Sequence, residues 1–228
     1  MFKQKILIIF VFFIFFSNCV YVSKNQDRPQ KDIIEARKKT IVVVQKYVNT
    51  KLSRVFFKGK GVLITPRQIL TAKHVISADP GLMPLIKVDQ VHSVLKDSIR
   101  LLPDIDLAIL SLKKDIRPSF ELPLAQTAEP QPIFWFVYSS ADSLKLFYGQ
   151  ITGLKIFSRW AGHQIAEIKT ANKDLIIIRG DSGTPLFNFQ GELVGILVAH
   201  DLNDWNRGYA ILTPQFKDNE VLKSVIKN

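Results

Sequence analysis

Short apolar runs separated by turn residues dominate the chain from Thr40 onwards. Segments rich in Val, Ile and Phe alternate with Gly, Pro, Asn and Asp. This pattern predicts antiparallel strands in a β-sandwich or barrel. The predicted strands are Ile41–Val48, Arg54–Phe57, Gly61–Thr65, Ile69–Thr71, Leu85–Val88, Leu107–Leu112, Ile133–Val137, Gly149–Ile156, Gln164–Lys169, Pro185–Phe189, Leu193–Ala199 and Tyr209–Leu212. One helix is predicted at the end of the chain, where Val221, Leu222 and Ile226 fall at helical spacing after Pro214.

The first residues carry the pattern of a targeting segment. Lys3 and Lys5 precede Ile6–Phe16, an unbroken apolar run of 11 residues. That run is shorter than the ~20 residues that span a bilayer, and it matches the apolar region of a signal peptide. We therefore predict a signal peptide over residues 1–18 and export of the protein. The alternative is an N-terminal membrane helix that stays in place.

Cys19 is the only cysteine of the chain, and it follows this apolar run directly. Phe16-Ser17-Asn18-Cys19 resembles the lipobox of bacterial lipoproteins, although Asn18 and Phe16 depart from the usual residues. The resemblance implies lipidation of Cys19 and attachment to a membrane, whereas an ordinary secretory signal implies release. Residues 19–39 are predicted to form a basic linker with a short helical turn at Asp32–Lys38.

Positive charge is concentrated in the first part of the chain. The net charge is +11, and residues 1–60 hold 13 Lys and Arg against 3 Asp and Glu. Residues 61–228 are nearly balanced, with 18 against 17. A nucleic-acid-binding protein usually carries a basic face on its folded domain, so we expect no nucleic-acid partner. The basic linker either draws the chain to anionic lipid or simply keeps it soluble.

Three segments carry the candidate chemistry. His74 follows two strands, Asp106 opens an apolar strand, and Ser182 lies between Gly180 and Gly183. A serine hydroxyl is a poor nucleophile until a base takes its proton, and a buried carboxylate needs a partner. Each segment alone also fits a structural role: a structural histidine, an aspartate that caps a turn, and an ordinary glycine turn.

Taken together, the segments resemble the trypsin-like serine proteases. The order His, Asp, Ser is that of the chymotrypsin class. Thr71–His74 resembles the TAAH motif of these enzymes, Asp106–Ala108 resembles their D-(I/L)-A segment, and Gly180–Gly183 resembles their GDSG motif. Gly195–Val198 and Gly208–Ala210 are similar to the strand that lines the substrate cleft and to the strand after it.

The resemblance implies an all-β fold over residues 40–228, with two six-stranded antiparallel β-barrels and a C-terminal helix. It implies a serine endopeptidase in which Ser182 is the nucleophile, His74 the base and Asp106 the supporting carboxylate. The N–H groups of Gly180 and Ser182 would form the oxyanion hole. Asp104 is a rival for the role of Asp106, which is preferred because it directly precedes Leu-Ala.

The resemblance also implies candidate substrate-binding residues. Counting back six residues from Ser182 places Ile176 at the base of the primary pocket, where an apolar side chain argues against selection of Lys or Arg. Val198 and Gly208 belong to the strands beside the cleft. His200, at the end of the cleft strand, either narrows the pocket or attracts an acidic side chain, unless it is an ordinary surface histidine.

The chain departs from the animal enzymes in several ways. Thr184 replaces the usual second glycine after the nucleophile. An Ile-Val-Gly-Gly start is absent, so Asp181 lacks its usual amine partner. The closer match is to cysteine-poor bacterial relatives, namely the HtrA-like and glutamyl endopeptidase groups. The 46 residues after Ser182 leave no room for the PDZ domain of HtrA proteins, so none is expected.

The expected partner is a protein or peptide substrate, with no cofactor. His92 and His163 have no neighbouring ligand pattern, so no metal site is expected. Three other functions remain open on the sequence: a catalytically silent, surface-anchored binding or adhesion protein, an esterase that uses the same triad, and a structural lipoprotein in which the motifs are coincidental.

Overall fold

The alternation of short apolar runs and turns produces thirteen strands and three short helices in the part of the chain that is described. The structure is a computed structural model, and it describes residues 28–49, 54–77, 85–88, 92–94, 98–118, 120–127, 129–138, 143–156 and 164–226. The predicted signal peptide, Cys19 and His163 lie outside these residues. No helix within them has the length and apolar character needed to cross a membrane.

The first half of the fold is a seven-stranded antiparallel sheet in the order β5-β4-β1-β2-β3-β7-β6. Its strands are β1 (Ile41–Asn49), β2 (Arg54–Thr65), β3 (Gln68–Ala72), β4 (Leu85–Val88), β5 (His92–Val94), β6 (Ile99–Leu101) and β7 (Leu107–Ser111). The short helix α2 (Lys73–Ile76) follows β3 directly and carries His74.

The second half is a closed barrel of six strands in the order β10-β13-β12-β11-β8-β9. Its strands are β8 (Pro132–Tyr138), β9 (Leu144–Ile156), β10 (Gln164–Thr170), β11 (Pro185–Asn188), β12 (Leu193–His200) and β13 (Arg207–Leu212). A 3-10 turn (Thr213–Gln215) leads to the terminal helix α3 (Glu220–Ile226).

The predicted all-β class and the C-terminal helix are confirmed, with a difference in the first half. That half has seven strands instead of six, because β5 pairs with β4 and β6 pairs with β7 as separate short strands. No ladder joins β5 to β6 within the described residues, whereas β9 and β10 close the second half into a barrel.

Two predicted strands are one strand in the structure. Arg54–Phe57 and Gly61–Thr65 both belong to β2, which pairs with β1 along nine consecutive positions. Glycines inside a strand often mark a close approach of other groups. A Cβ at Gly61 would lie 2.5 Å from Ile69, and one at Gly59 would lie 2.6 Å from Val75. The glycines therefore admit neighbouring side chains without ending the strand.

The predicted linker contains a helix that packs on the body of the protein. α1 (Lys31–Lys38) places Ile33 and Ile34 against the hydrophobic core. Arg37 donates a hydrogen bond of 3.0 Å from Nη1 to the carbonyl of Glu121. The packed part of the chain thus begins before residue 40, because two adjacent isoleucines gain burial there.

One large core cluster joins the two halves. It contains Val62 and Leu70 from the first sheet together with Phe134 and Phe187 from the barrel, all with no exposed surface. The Phe134 ring centroid lies 5.5 Å from that of Phe187 and 5.9 Å from that of Phe136. The two halves therefore share one continuous apolar core.

We expect Phe134→Ala to lower the free energy of unfolding by about 3–5 kcal/mol, because it removes a buried ring and leaves a cavity. Urea unfolding of the two proteins measures the difference. The matched control is Leu101→Ala, since Leu101 is 52% exposed and should change stability by no more than about 0.5 kcal/mol. Equal effects of the two substitutions would contradict this account of the core.

Candidate active site

Ser182 lies on a tight turn between the barrel and the first sheet. Gly180 and Gly183 on either side adopt φ angles of +98° and +86°, which residues with a Cβ rarely adopt. The N–H of Asp181 bonds to the carbonyl of Ile178 at 3.1 Å, and that of Thr184 bonds to the carbonyl of Asp181 at 3.0 Å. These two bonds close two consecutive tight turns that share Asp181, and Ser182 lies in the second of them.

Thr184 braces this turn from inside the protein. Its side chain is fully buried, and its hydroxyl donates a hydrogen bond of 2.5 Å to the carbonyl of Asp181. The residue that departs from the usual glycine therefore fits beside the turn and adds a hydrogen bond to it.

Backbone hydrogen bonds hold the Ser182 turn against both halves of the fold. The N–H of Lys60 on β2 bonds to the carbonyl of Ser182 at 2.8 Å, and the N–H of Gly183 bonds to the carbonyl of Leu197 on β12 at 2.8 Å. A Cβ at Gly183 would lie only 1.8 Å from the carbonyl oxygen of Lys60. Only glycine allows the turn to sit this close to β2.

Asp106 holds His74 by both its backbone and its ring. The Asp106 Oδ2 atom lies 2.6 Å from His74 Nδ1, and Oδ1 accepts a hydrogen bond of 3.0 Å from the His74 backbone N–H. The Lys73 N–H bonds to the Asp106 carbonyl at 3.0 Å. Asp106 thus satisfies two of the free N–H groups at the start of α2 and orients the imidazole as well.

Asp104 is the rival carboxylate. It is exposed, and its φ of +60° places it in a turn before β7. Asp106 is the aspartate that contacts His74. The sequence left two interpretations of Asp106, as a capping residue and as a partner of the histidine. Both apply to the structure, because Oδ1 accepts the His74 backbone N–H and Oδ2 lies beside the His74 ring.

His74 and Ser182 line one open cleft of about 640 Å³ between the halves. Gly180, Val198 and His200 also line it. No hydrogen bond joins the Ser182 hydroxyl to the His74 ring in the described structure. Such bonds are often long in ligand-free enzymes and tighten when substrate binds.

The other two candidate substrate-binding residues do not line this cleft. Ile176 is 46% exposed, while its neighbour Ile177 is buried. Gly208 faces Ile177, whose Cδ1 atom would lie 2.8 Å from a Cβ added there. Of the three consecutive isoleucines at 176–178 only Ile177 is buried, and counting along a loop does not reveal which of them points inward.

Among the described residues, those that line the cleft carry positive charge and include no carboxylate. Lys58 and Arg179 line it with the two histidines, and Leu202 adds an exposed apolar side chain. The His200 ring lies 5.8 Å from that of Trp205, which is half exposed. The surface beside Ser182 is therefore cationic and partly apolar.

The structure supplies a partner for Asp181 that the sequence did not reveal. Lys60 forms an ion pair with Asp181, and their side chains are only 5% and 4% exposed. Burial lowers the pKa of Lys60, and the attraction to Asp181 offsets that effect only in part. A signal existed: Lys60 shares a face of β2 with Val62, and a lysine on a buried face needs a carboxylate.

No group of three metal-ligating side chains occurs among the described residues. The side chains that converge on the cleft are those of acid–base and nucleophilic chemistry.

A family model described as a trypsin-like peptidase domain matches residues 59–196, more than half of the chain. The chain belongs to the trypsin-like peptidase domain family. The match begins at the β2 glycine beside the Ser182 turn and ends in β12, so it includes His74, Asp106 and Ser182. Membership of this family supports a peptidase of the serine-protease type. No curated protein matches the chain by sequence.

Solved structures of proteases share the fold of this trypsin-like domain. The Rv3671c protease from M. tuberculosis in its active form is 15% identical, with a TM-score of 0.63 over 85% of this chain and 87% of that one. Its inactive form is 16% identical, with the same TM-score over 85% and 96%. The HtrA-type protease AlgW with decapeptide is 17% identical, with a TM-score of 0.61 over 86% and 67%. At these identities the likeness concerns the fold.

We expect Gly183→Ala to destabilise the protein by at least about 2 kcal/mol, because it combines an unfavourable φ with backbone overlap. Thermal unfolding measures the loss. Gly153→Ala is the matched control, since no atom lies within 4 Å of a Cβ added at Gly153. A Gly183→Ala protein as stable as this control would mean that the turn does not pack against β2 as described.

Proposed function

We propose that this trypsin-like domain is a serine endopeptidase that hydrolyses peptide bonds through an acyl-enzyme. Ser182 is the nucleophile, His74 the general base and Asp106 the carboxylate that supports it. The observation that carries the proposal is the double contact of Asp106 with His74, in the cleft that Ser182 lines. Family membership supports the same reaction class.

The hydrogen bond between Asp106 and Nδ1 decides which ring nitrogen is available for chemistry. With the Nδ1 proton directed to Asp106, Nε2 is left to accept the Ser182 proton while Oγ attacks the substrate carbonyl carbon. The imidazolium then protonates the leaving amine as the C–N bond breaks. Water attacks the acyl-enzyme by the same route, and the proton returns to Ser182 when the acid product leaves.

The N–H groups of Gly180 and Ser182 are the proposed oxyanion hole. Within the described residues, neither of these N–H groups donates a hydrogen bond to a backbone carbonyl. The N–H groups of Asp181 and Gly183, the residues that follow each of them, both donate to backbone carbonyls. Two free donors on one turn are suited to a developing negative charge, because fixed dipoles need no reorganisation during the reaction.

The cleft supports a preference against basic substrate side chains. We propose that Val198 and His200 contact the substrate residue before the cleaved bond, since both line the cleft beside Ser182. The cationic lining from Lys58 and Arg179 disfavours Lys and Arg there. A protein or peptide is the proposed substrate, in keeping with the peptidase family of the chain.

We also propose that the protein is exported and is attached to a membrane through lipidated Cys19. The apolar run Ile6–Phe16 and the lipobox-like residues before Cys19 support this. Mass spectrometry of the protein from its native membrane tests it: an N-terminal diacylglyceryl group on Cys19 is the expected finding.

We expect residues 20–228 to react covalently with a fluorophosphonate probe, because Ser182 is activated by His74. Ser182→Ala and His74→Ala should both abolish labelling, as read by fluorescence after electrophoresis. Digestion of a peptide library by the same protein then separates a protease from an esterase. A folded wild-type protein that takes up no probe would instead indicate a silent binding protein on a protease fold.

Asp106→Asn should lower the labelling rate by about 10³–10⁴-fold, because the neutral amide favours the wrong imidazole tautomer. Asp104→Asn is the matched control and should leave the rate unchanged, since Asp104 lies in an exposed turn where asparagine also tolerates positive φ. If the two substitutions had equal effects, Asp106 would not be the supporting carboxylate.

A further inference from the structure

A buried ion pair connects the first sheet to the Ser182 turn. Lys60 Nζ pairs with Asp181 Oδ1 and also donates a hydrogen bond of 3.1 Å to the carbonyl of Gly180. The second Asp181 oxygen accepts a hydrogen bond of 2.9 Å from the N–H of Ile178. Every charged atom of the pair therefore has a partner on the turn or on β2.

The contacts of Lys60 cover three successive residues of the turn. Its side chain holds Gly180 and Asp181, and its backbone N–H bonds to the carbonyl of Ser182. The carbonyl of Lys60 in turn accepts a hydrogen bond of 2.6 Å from the Thr71 hydroxyl on β3. One residue thus fixes the peptide groups on both sides of Asp181 against the first sheet.

The charge on Lys60 is needed because the carboxylate of Asp181 is buried. A buried carboxylate without a partner is strongly unfavourable, and removal of one member of a buried pair leaves the other uncompensated. If Lys60 lost its charge, Asp181 would have to turn towards water or take up a proton. Either change would rotate the peptide groups whose N–H donors belong to Gly180 and Ser182.

We propose that Lys60 is a positioning residue that keeps the Gly180 and Ser182 N–H groups directed into the cleft. The inference rests on the proposed serine-protease function. Because the cation is a side chain in the middle of β2, the chain needs no cut that frees an amine to partner Asp181. The oxyanion hole of this protein is therefore formed as soon as β2 and the turn pack together.

A purely structural ion pair is the competing explanation, and the dependence of the reaction on pH separates the two. The charged groups that act on Lys60 are Asp181 on the turn and Lys58 on its own strand. Its cross-strand neighbour on β1 is Val43, and the β3 residue that bonds it is Thr71, so neither strand presents a charge there. Loss of the Lys60 proton at alkaline pH should thus lower the reaction rate.

The test uses the fluorophosphonate probe at saturating and limiting concentrations. This yields the maximal labelling rate, kinact, and the half-saturating concentration, KI. Lys60→Met should lower kinact by about 10²-fold or more, because the oxyanion donors are misplaced, while KI changes little. Lys60→Arg should recover most of kinact. The decrease of kinact at alkaline pH should occur at a higher pH in Lys60→Arg than in the wild type, since arginine keeps its charge.

Lys46→Met controls for the loss of a buried lysine as such. Lys46 is 5% exposed and bonds the Ser77 carbonyl, at the end of α2. The Lys46→Met substitution should lower the melting temperature without a loss of kinact of about 10²-fold. The double variant Lys60→Met/Asp181→Asn removes both charges and should regain stability relative to Lys60→Met, while kinact stays low.

The outcomes distinguish this inference from the proposed function. No labelling of the folded wild-type protein would overturn both. Labelling of the wild type with an unchanged kinact in Lys60→Met would overturn the inference alone. So would a folded Lys60→Arg protein whose kinact decreases at the same alkaline pH as that of the wild type, because charge at position 60 would then not control the turn.

Discussion

The close packing of β2 against the Ser182 turn is the contact on which the site depends. It combines a backbone hydrogen bond from Lys60 to Ser182, a glycine at 183 that leaves no room for a Cβ, and the buried pair between Lys60 and Asp181. These interactions join the first sheet to the barrel at the cleft. A displaced β2 would release the turn that carries the nucleophile.

On the other side of the cleft, Asp106 also makes more than one contact with the site. The same carboxylate completes the start of α2 and holds the ring of His74, so the geometry of the helix and the orientation of the imidazole are set together. Since α2 has only four residues, it contributes little stability of its own. The position of His74 is set instead by the packing of α2 against the strands of the first sheet and by the Asp106 contacts.

Much of the fold was predictable because buried strands appear in the sequence as short apolar runs that turn residues separate. The predicted strand bounds were wrong where glycine, a common turn residue, lies inside a strand instead. Gly59 and Gly61 look like a break between strands, yet they are close-approach positions inside β2. The helical turn predicted at Asp32–Lys38 corresponds to α1, but its packing on the core was not predicted, because its polar residues conceal two isoleucines.

The sequence alone predicts the all-β class and, through its resemblance to the trypsin-like proteases, nominates Ser182, His74 and one of two aspartates for the site. It also leaves Asp181 without its usual amine partner. The folded structure shows that Lys60 supplies a cation for Asp181, that Asp106 and not Asp104 meets His74, and that Val198 and His200 line the cleft while Ile176 does not. These are contacts between strands distant in sequence, and strand packing places them.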